Sequence, residues 1–265
     1  MAQESSFRDI QISSKDIEVR KIGLQDLWQS LREGYDDFNA KPSFGVFFAI
    51  IYPMGALLLT FFLLSDKLLY LAFPMIAGLT LIGPAISVAL FDMSRRRELG
   101  LDLDWRSAFD FIHSASFAPI MALSVVMAVL YIAWVYMAQF LYFDLFGAAP
   151  PASMSDFINY IVTTRHGAGL IFYGNALGFL FAFAALSISV VGFPLLLDKP
   201  ATTITAISVS ARAVMSNIFV MSVWGVVVVG LLAVGALLLF VGLAVVLPVL
   251  GHATWHLYRK LVLTS

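Results

Sequence analysis

The chain has 265 residues, is 60% hydrophobic and only 12% charged, and carries a net charge of −1, with a mean hydropathy of +0.90. Soluble globular domains hold roughly 25% charged residues, so this composition excludes one water-soluble core and implies several membrane spans. The absence of cysteine excludes disulfides, thiolate zinc sites, iron–sulfur ligation and thiol nucleophiles, and the balanced charge gives no basic field for nucleic acid.

Residues 1–43 hold 14 charges before the first apolar run. A secretory signal places a short apolar core within roughly the first 30 residues, so the first span is expected to be an uncleaved anchor. Residues 1–20 read as a tail, with Ile10/Ile12 and Ile17/Val19 alternating. From 24 to 38, Leu24, Leu27, Trp28, Leu31, Tyr35 and Phe38 recur at helical spacing. The segment also holds Asp26, Glu33, Asp36 and Asp37 against Arg32 alone. An anionic leaflet does not attract such a balance, so docking onto the chain's own cytoplasmic face or onto a partner is expected.

Six apolar runs follow, at about 44–64, 68–91, 117–143, 170–197, 218–238 and 242–262. Each is long enough for a helix of roughly 20 residues. The last two share a stretch of 46 residues, Ala213 to Tyr258, without Asp, Glu, Lys or Arg. As one helix it is about 69 Å long, against a bilayer core of about 30 Å. It crosses twice, or crosses once and continues in a protein-covered environment.

The Lys and Arg residues decide between these by the positive-inside rule. Six spans put 14 of them on one side and only Lys67 and Arg165 on the other; five spans change the split to 12 against 4. The reading is therefore two crossings with a turn near Val241–Gly242, and both termini in the cytoplasm. Aromatic rings favour membrane interfaces. Tyr70, Tyr136 and Tyr142 fall near the expected outer interface, and Trp255 and Tyr258 near the inner one.

The spans group as three hairpins, each preceded by a cytoplasmic amphipathic segment: 24–38, then Trp105, Phe109 and Ile112, then Ile204, Ile207, Ala211 and Val214. The second helix of each hairpin carries Pro84, Pro194 or Pro248. The expected fold is thus all-α: a polytopic membrane helix bundle of six transmembrane helices in three hairpins. Residues 1–43 form the N-terminal tail with its amphipathic helix, and 44–265 form the membrane domain.

Chemistry-bearing residues gather at the cytoplasmic ends of these helices. His252 and His256 are four apart and share a helix face, a spacing that suits two metal ligands or a pH-sensitive pair. Only His113 and His166 remain as further histidines, so no metal or other cofactor is expected. Arg95, Arg96 and Arg97 read as a topology anchor or a contact for anionic lipid. Asp92 and Asp198 end even-numbered helices and are placed to pair with nearby arginines; Arg259 follows the histidines. Gly174, Gly178 and Ala182 form a small-residue seam for helix packing. No phosphate loop, zincin helix or serine triad joins the remaining polar residues. Asn175 and Gln139 are the most polar residues within spans.

Three stretches carry a resemblance: Gly83-Pro84-Ala85 through Phe91-Asp92-Met93-Ser94-Arg95-Arg96-Arg97-Glu98, then Phe193-Pro194-Leu195-Leu196-Leu197-Asp198, then Pro248 through His252, His256 and Arg259. With the Trp28 segment leading into Ile51-Tyr52, the chain resembles the bacterial integral-membrane family DUF2189, a domain of unknown function, over nearly its whole length. The resemblance implies an inner-membrane protein and no mapped catalytic residue. Some members carry labels suggesting a relation to cytochrome c oxidase subunit I. A catalytic oxidase subunit uses six histidine ligands, whereas this chain has 4 histidines.

The reading is a non-catalytic inner-membrane scaffold, accessory subunit or assembly factor, with a place beside a respiratory complex resting on that label alone. Its expected contacts are membrane lipids and a membrane-protein partner or a second copy. The face expected to work holds Asp92, Arg95, Arg96, Arg97, Asp198, His252, His256 and Arg259. The alternative is a transporter or channel for a small neutral or lipid-like solute.

Overall fold

The computed structural model describes residues 12–42, 70–101, 107–147, 153–237 and 242–263. Among these, regular structure is helical, apart from one antiparallel bridge between Val19 and Val262. In chain order the helices are α1 (Leu24–Ala40), α2 (Ala72–Ile86), α3 (Val88–Glu98), a 3-10 helix (Ser107–His113), α4 (Phe117–Phe146), α5 (Met154–Thr163), α6 (Arg165–Ser189), α7 (Gly192–Asp198), α8 (Thr203–Ser216), α9 (Ile218–Leu237) and α10 (Leu243–Leu261).

Among the described residues, four helices are long and apolar enough to cross a membrane: Ala72–Glu98, which joins α2 to α3; Phe117–Phe146; Arg165–Asp198, which joins α6 to α7; and Ile218–Leu237. This corrects the expected six transmembrane helices in three hairpins. The first expected span, 44–64, lies outside the described residues. The sixth, 242–262, is helix α10, and it is not among the candidate spans. Its second half carries His252, His256, Arg259 and Lys260, and ten of its 19 residues are buried in protein. Among the described residues the charge-free run thus holds one crossing-length helix, Ile218–Leu237, followed by a helix about half of whose residues are buried in protein.

Pro84 lies in the last turn of α2, just before the break at Ser87, and Pro194 lies in the first turn of α7, after the break at Val190–Val191. Proline removes a backbone donor and crowds the preceding turn. Both breaks are followed by a short helix whose apolar residues are buried: Val88, Leu90, Phe91 and Met93 in α3, and Phe193 to Leu197 in α7.

The described residues divide into two compact units. The first draws on Met1–Ile50, Pro84–Val125 and Leu186–Ser265. Its core is built from the ends of long helices: Leu90 and Phe91, Leu123, Phe193 with Leu195 and Leu196, Met221 with Trp224, and Trp255 with Leu257 and Tyr258. Trp255 and Tyr258 are fully buried here, not set at a lipid interface. The backbone N–H of Arg20 donates to the Leu261 carbonyl at 2.8 Å, and that of Ile22 donates to Asn217 Oδ1 at 2.9 Å. Residues 20–22 thus touch both the start of α9 and the end of α10, which run antiparallel.

The second unit draws on Ile51–Gly83 and Val126–Ala185. Its core is aromatic: Tyr70 stacks on Tyr142 with ring centroids 4.3 Å apart, and Met75, Val135, Phe146, Phe157 and Leu170 pack around them. At Gly78 a Cβ would lie 2.6 Å from the Tyr131 ring and 2.7 Å from that of Trp134, so only glycine admits both rings. Trp134 Nε1 donates to the Pro74 carbonyl at 2.7 Å. The seam residue Gly178 lies against Trp134. Large apolar side chains such as Phe140, Phe172 and Phe179 are exposed, the inside-out surface of a membrane unit.

Candidate functional site

The site begins with the amphipathic helix α1. The Asp26 carboxylate accepts from the Gly23 backbone N–H at 2.7 Å, a capping interaction that starts the helix. The residues facing the protein are Leu27, Ser30, Gly34 and Asp37, three or four apart and hence on one stripe. That stripe is small and acidic. Leu24, Trp28 and Tyr35 point outward and are exposed. At Gly34 a Cβ would fall 2.5 Å from the Ala253 backbone nitrogen and 2.7 Å from the Val249 carbonyl oxygen. The absence of a side chain lets α1 and α10 cross almost backbone to backbone, and this approach carries the α1 acids to the α10 bases.

Asp37 is the hub. Its Oδ1 accepts from Arg97 Nη1, and its Oδ2 meets Ser94 Oγ at 2.5 Å and His256 Nε2 at 2.8 Å. Ser94 Oγ also lies 2.8 Å from His252 Nδ1. Burial by itself raises the Asp37 carboxyl, but hydrogen bonds from His256 and Ser94 and the charges of both histidines outweigh it and lower it from 3.8 to about 2. Burial pushes His252 down from 6.5 to about 4, against the pull of Asp37, so its imidazole is neutral at pH 7. The Ser94 hydroxyl donates to Asp37, and the tautomer of His252, whose ring also bonds the Leu90 backbone, sets whether Nδ1 meets the Ser94 oxygen as donor or acceptor.

Further pairs extend from this hub as a belt. Lys260 Nζ meets Glu33 Oε2 at 2.5 Å, and Arg259 Nε meets Glu98 Oε2 at 3.3 Å. Arg259 Nη1 lies 3.6 Å from Asp198 Oδ2, which also accepts from the Tyr258 hydroxyl at 2.8 Å. Burial, then the neighbouring Asp198, raises the Tyr258 phenol well above its usual value. Arg95 lies between Asp92 at 3.6 Å and Asp198 at 3.9 Å, and Arg96 bridges Asp92 at 2.7 Å and Asp110 at 2.9 Å. A cavity of about 260 Å³ opens beside the hub, lined by Glu33, Asp36, Asp37, Ser94, Arg97, Glu98 and His256.

The structure thus brings together Asp92, Arg95, Arg96, Arg97, Asp198, His252, His256 and Arg259, all eight of the residues singled out from the sequence. Sequence reasoning missed Asp37, Glu33, Ser94, Glu98, Lys260, Tyr258 and Asp110. One signal was available. Ser30, Gly34 and Asp37 form a stripe too polar for lipid and too small for a solvated face, which marks a close helix contact. His113 is exposed on the 3-10 helix, and His166 contacts Phe146.

Three chemistries can be weighed against this geometry. Ser94, His252 and Asp37 are the residue types of a hydrolytic triad, but here the serine sits between the other two. It is 1% exposed, and His252 lies 4.0 Å from Asp37. A triad needs histidine between an accessible serine and the acid. As for metal, among the described residues no three His, Cys, Asp or Glu side chains form a group suited to an ion. Both histidines turn a ring nitrogen to Ser94 or Asp37 instead. What the arrangement does is hold: it fastens α1, α3, α7 and α10 to one another with charge-assisted hydrogen bonds.

Residues 72–198 match the family described as "Predicted integral membrane protein (DUF2189)". This segment, 127 of the 265 residues, is similar to that family. Its limits fall at the first residue of α2 and the last of α7. Two of the three stretches that carry the resemblance lie inside it; the third, Pro248 to Arg259, lies beyond. With several crossing-length helices, the protein is a multi-pass integral membrane protein. The matched segment supplies Asp92, Ser94, the three arginines, Glu98, Asp110 and Asp198 to the belt, and the flanking helices α1 and α10 supply the rest. No curated protein and no solved structure matches the chain.

Proposed function

We propose that this is a non-catalytic bacterial inner-membrane protein that acts through contacts, as a scaffold, accessory subunit or assembly factor, with both termini in the cytoplasm. One observation supports the reading above the others. The belt engages its acids and bases in joining the matched segment to its flanking helices, and its one serine beside a histidine and a carboxylate is closed to substrate. A structure organised around holding helices in place suits a protein whose product is an assembled surface. The Lys/Arg asymmetry supports a cytoplasmic setting for the belt. The bonds from residues 18–20 to 261–263 support termini on one side.

The transport reading draws less support. Gln139 Nε2 donates to the Tyr70 hydroxyl at 3.1 Å, and Asn175 Nδ2 donates to the Ile171 carbonyl of its own helix at 2.7 Å. Both groups are engaged in hydrogen bonds within the protein.

The test is purification of the tagged protein from native membranes in mild detergent. A defined membrane protein is expected to co-elute in fixed proportion. Recovery of the protein alone, together with normal assembly of membrane complexes in a deletion strain, would falsify the proposal.

A further inference from the structure

The outer face of α1 poses a question that the belt does not answer. Trp28 is 68% exposed, Tyr35 52% and Leu24 44%, and with half-buried Leu31 they make one apolar stripe along the helix. A stripe of this kind on a docked helix calls for a cover.

We propose that α1 lies in the membrane plane as an interfacial helix and buries the Leu24–Trp28–Leu31–Tyr35 stripe in an anionic lipid headgroup layer. Three observations carry this. The first is position. Ile22 donates to Asn217, the residue immediately before the crossing-length helix Ile218–Leu237, so the start of α1 is pinned at the mouth of a span. Its other end, Ala40, precedes by a few residues an apolar run, 44–64, that carries no charge. A helix of 17 residues, about 25 Å long, is therefore pinned beside a crossing-length helix at one end and followed by an apolar run of sequence at the other. The second is residue type. Trp and Tyr with leucine on the outward face are the side chains that settle at headgroup depth.

The third is charge. Counted along the sequence, this segment is acidic and unsuited to an anionic surface. In the structure the acids are turned away. Asp37 is bound to Arg97, Ser94 and His256; Glu33 is bound to Lys260; and Asp26 caps its own helix. The exposed charges from residue 21 to 41 are Lys21, Arg32 and Lys41 against Asp36. The face presented outward is apolar with a basic fringe, the pattern that attracts anionic lipid.

The chain contains no cysteine, so single-cysteine variants can be made directly in the native sequence. Leu24→Cys, Trp28→Cys and Tyr35→Cys, with Gln25→Cys and Gln29→Cys as exposed polar controls, are each labelled with a nitroxide. The full-length protein is then reconstituted into phosphatidylcholine vesicles containing phosphatidylglycerol. The ratio of oxygen to water-soluble nickel accessibility is expected to be several-fold higher at 24, 28 and 35 than at 25 and 29. The contrast is expected to shrink in phosphatidylcholine alone. Equal, water-like ratios at all five positions overturn the proposal. Exclusion of both reagents at 24, 28 and 35 also overturns it, because the cover is then protein: another segment of this chain, a second copy or a partner. An unchanged ratio in the two lipids overturns the requirement for anionic headgroups. None of these readouts depends on a co-purifying protein, so this inference and the scaffold reading fail separately.

Discussion

At the scale of single residues, Asp37 controls the site because it is buried and still ionised. Taking a carboxylate out of water is costly unless donors replace the lost hydration, and Arg97, Ser94 and His256 replace it here. Asp37→Asn keeps the size but leaves the Arg97 guanidinium without its counter-charge. Thermal unfolding in detergent is expected to show a loss of about 2–4 kcal/mol. The two shifted groups also set a pH dependence of defined sign. His252 titrates near 6.5 when unfolded and at about 4 when folded, so the unfolded chain takes the proton first and stability falls as pH drops from 6.5 to 4. Asp37 titrates at 3.8 unfolded and at about 2 folded, so its contribution is present above 3.8 and is lost as pH falls through 2. They are worth on the order of 3 kcal/mol for His252 and 2 kcal/mol for Asp37. Melting temperatures measured between pH 7 and 4 are expected to fall, and His252→Gln is expected to flatten that slope. A slope unchanged by His252→Gln would assign the acid sensitivity to another group.

At the scale of elements, the decisive feature is the crossing of α1 over α10 at Gly34. A methyl group there meets backbone atoms at 2.5–2.8 Å, and backbone cannot rotate away as a side chain does. Gly34→Ala is expected to cost about 1–3 kcal/mol. Gly34→Leu is expected to release α1 altogether, seen as new trypsin cleavage after Arg32 in otherwise intact protein. Retention of wild-type protection in Gly34→Leu would show that the acids dock α1 without the close approach. The breaks after Ile86 and after Ser189 matter at this scale too. They separate long apolar helices from the short buried ends that carry Asp92 and Asp198 into the belt.

At the scale of the whole molecule, residues 18–20 meet residues 261–263. Val19 pairs with Val262, Arg20 donates to Leu261, and Leu263 donates to Glu18. Reporter fusions at residue 1 and residue 265 are therefore expected to read the same compartment, the cytoplasm. Opposite readings would contradict the pairing. Removal of the chain after α9 deletes His252, His256, Arg259 and Lys260 at once, and it takes from Glu33 and Glu98 their basic partners and from Asp37 and Asp198 a part of theirs. That truncation is expected to be degraded in cells, whereas Ile204→Ser, at a position 80% exposed, is expected to change protein level little.

Much of this was written in the sequence by itself. The helical class, the membrane setting, the long apolar helices at 117–146 and 218–237 and the set of six charged residues and two histidines followed from composition, from runs too long and apolar for a soluble core, and from spacing. These are local properties, and local properties survive in a one-dimensional string. The last helix and the outer face of α1 did not follow. The absence of charge along Ala213–Tyr258 said that water was excluded but not whether lipid or protein excluded it, because hydrocarbon and a packed core select the same side chains. In α10 the tertiary structure chose protein, through Gly34 and the buried partners of His252 and His256. The net charge of α1 likewise suggested repulsion from an anionic surface until folding turned Asp37 and Glu33 inward, since a sum along the chain carries no direction. The sequence determined which residues avoid water; only the tertiary structure decided which of them face lipid and which face one another.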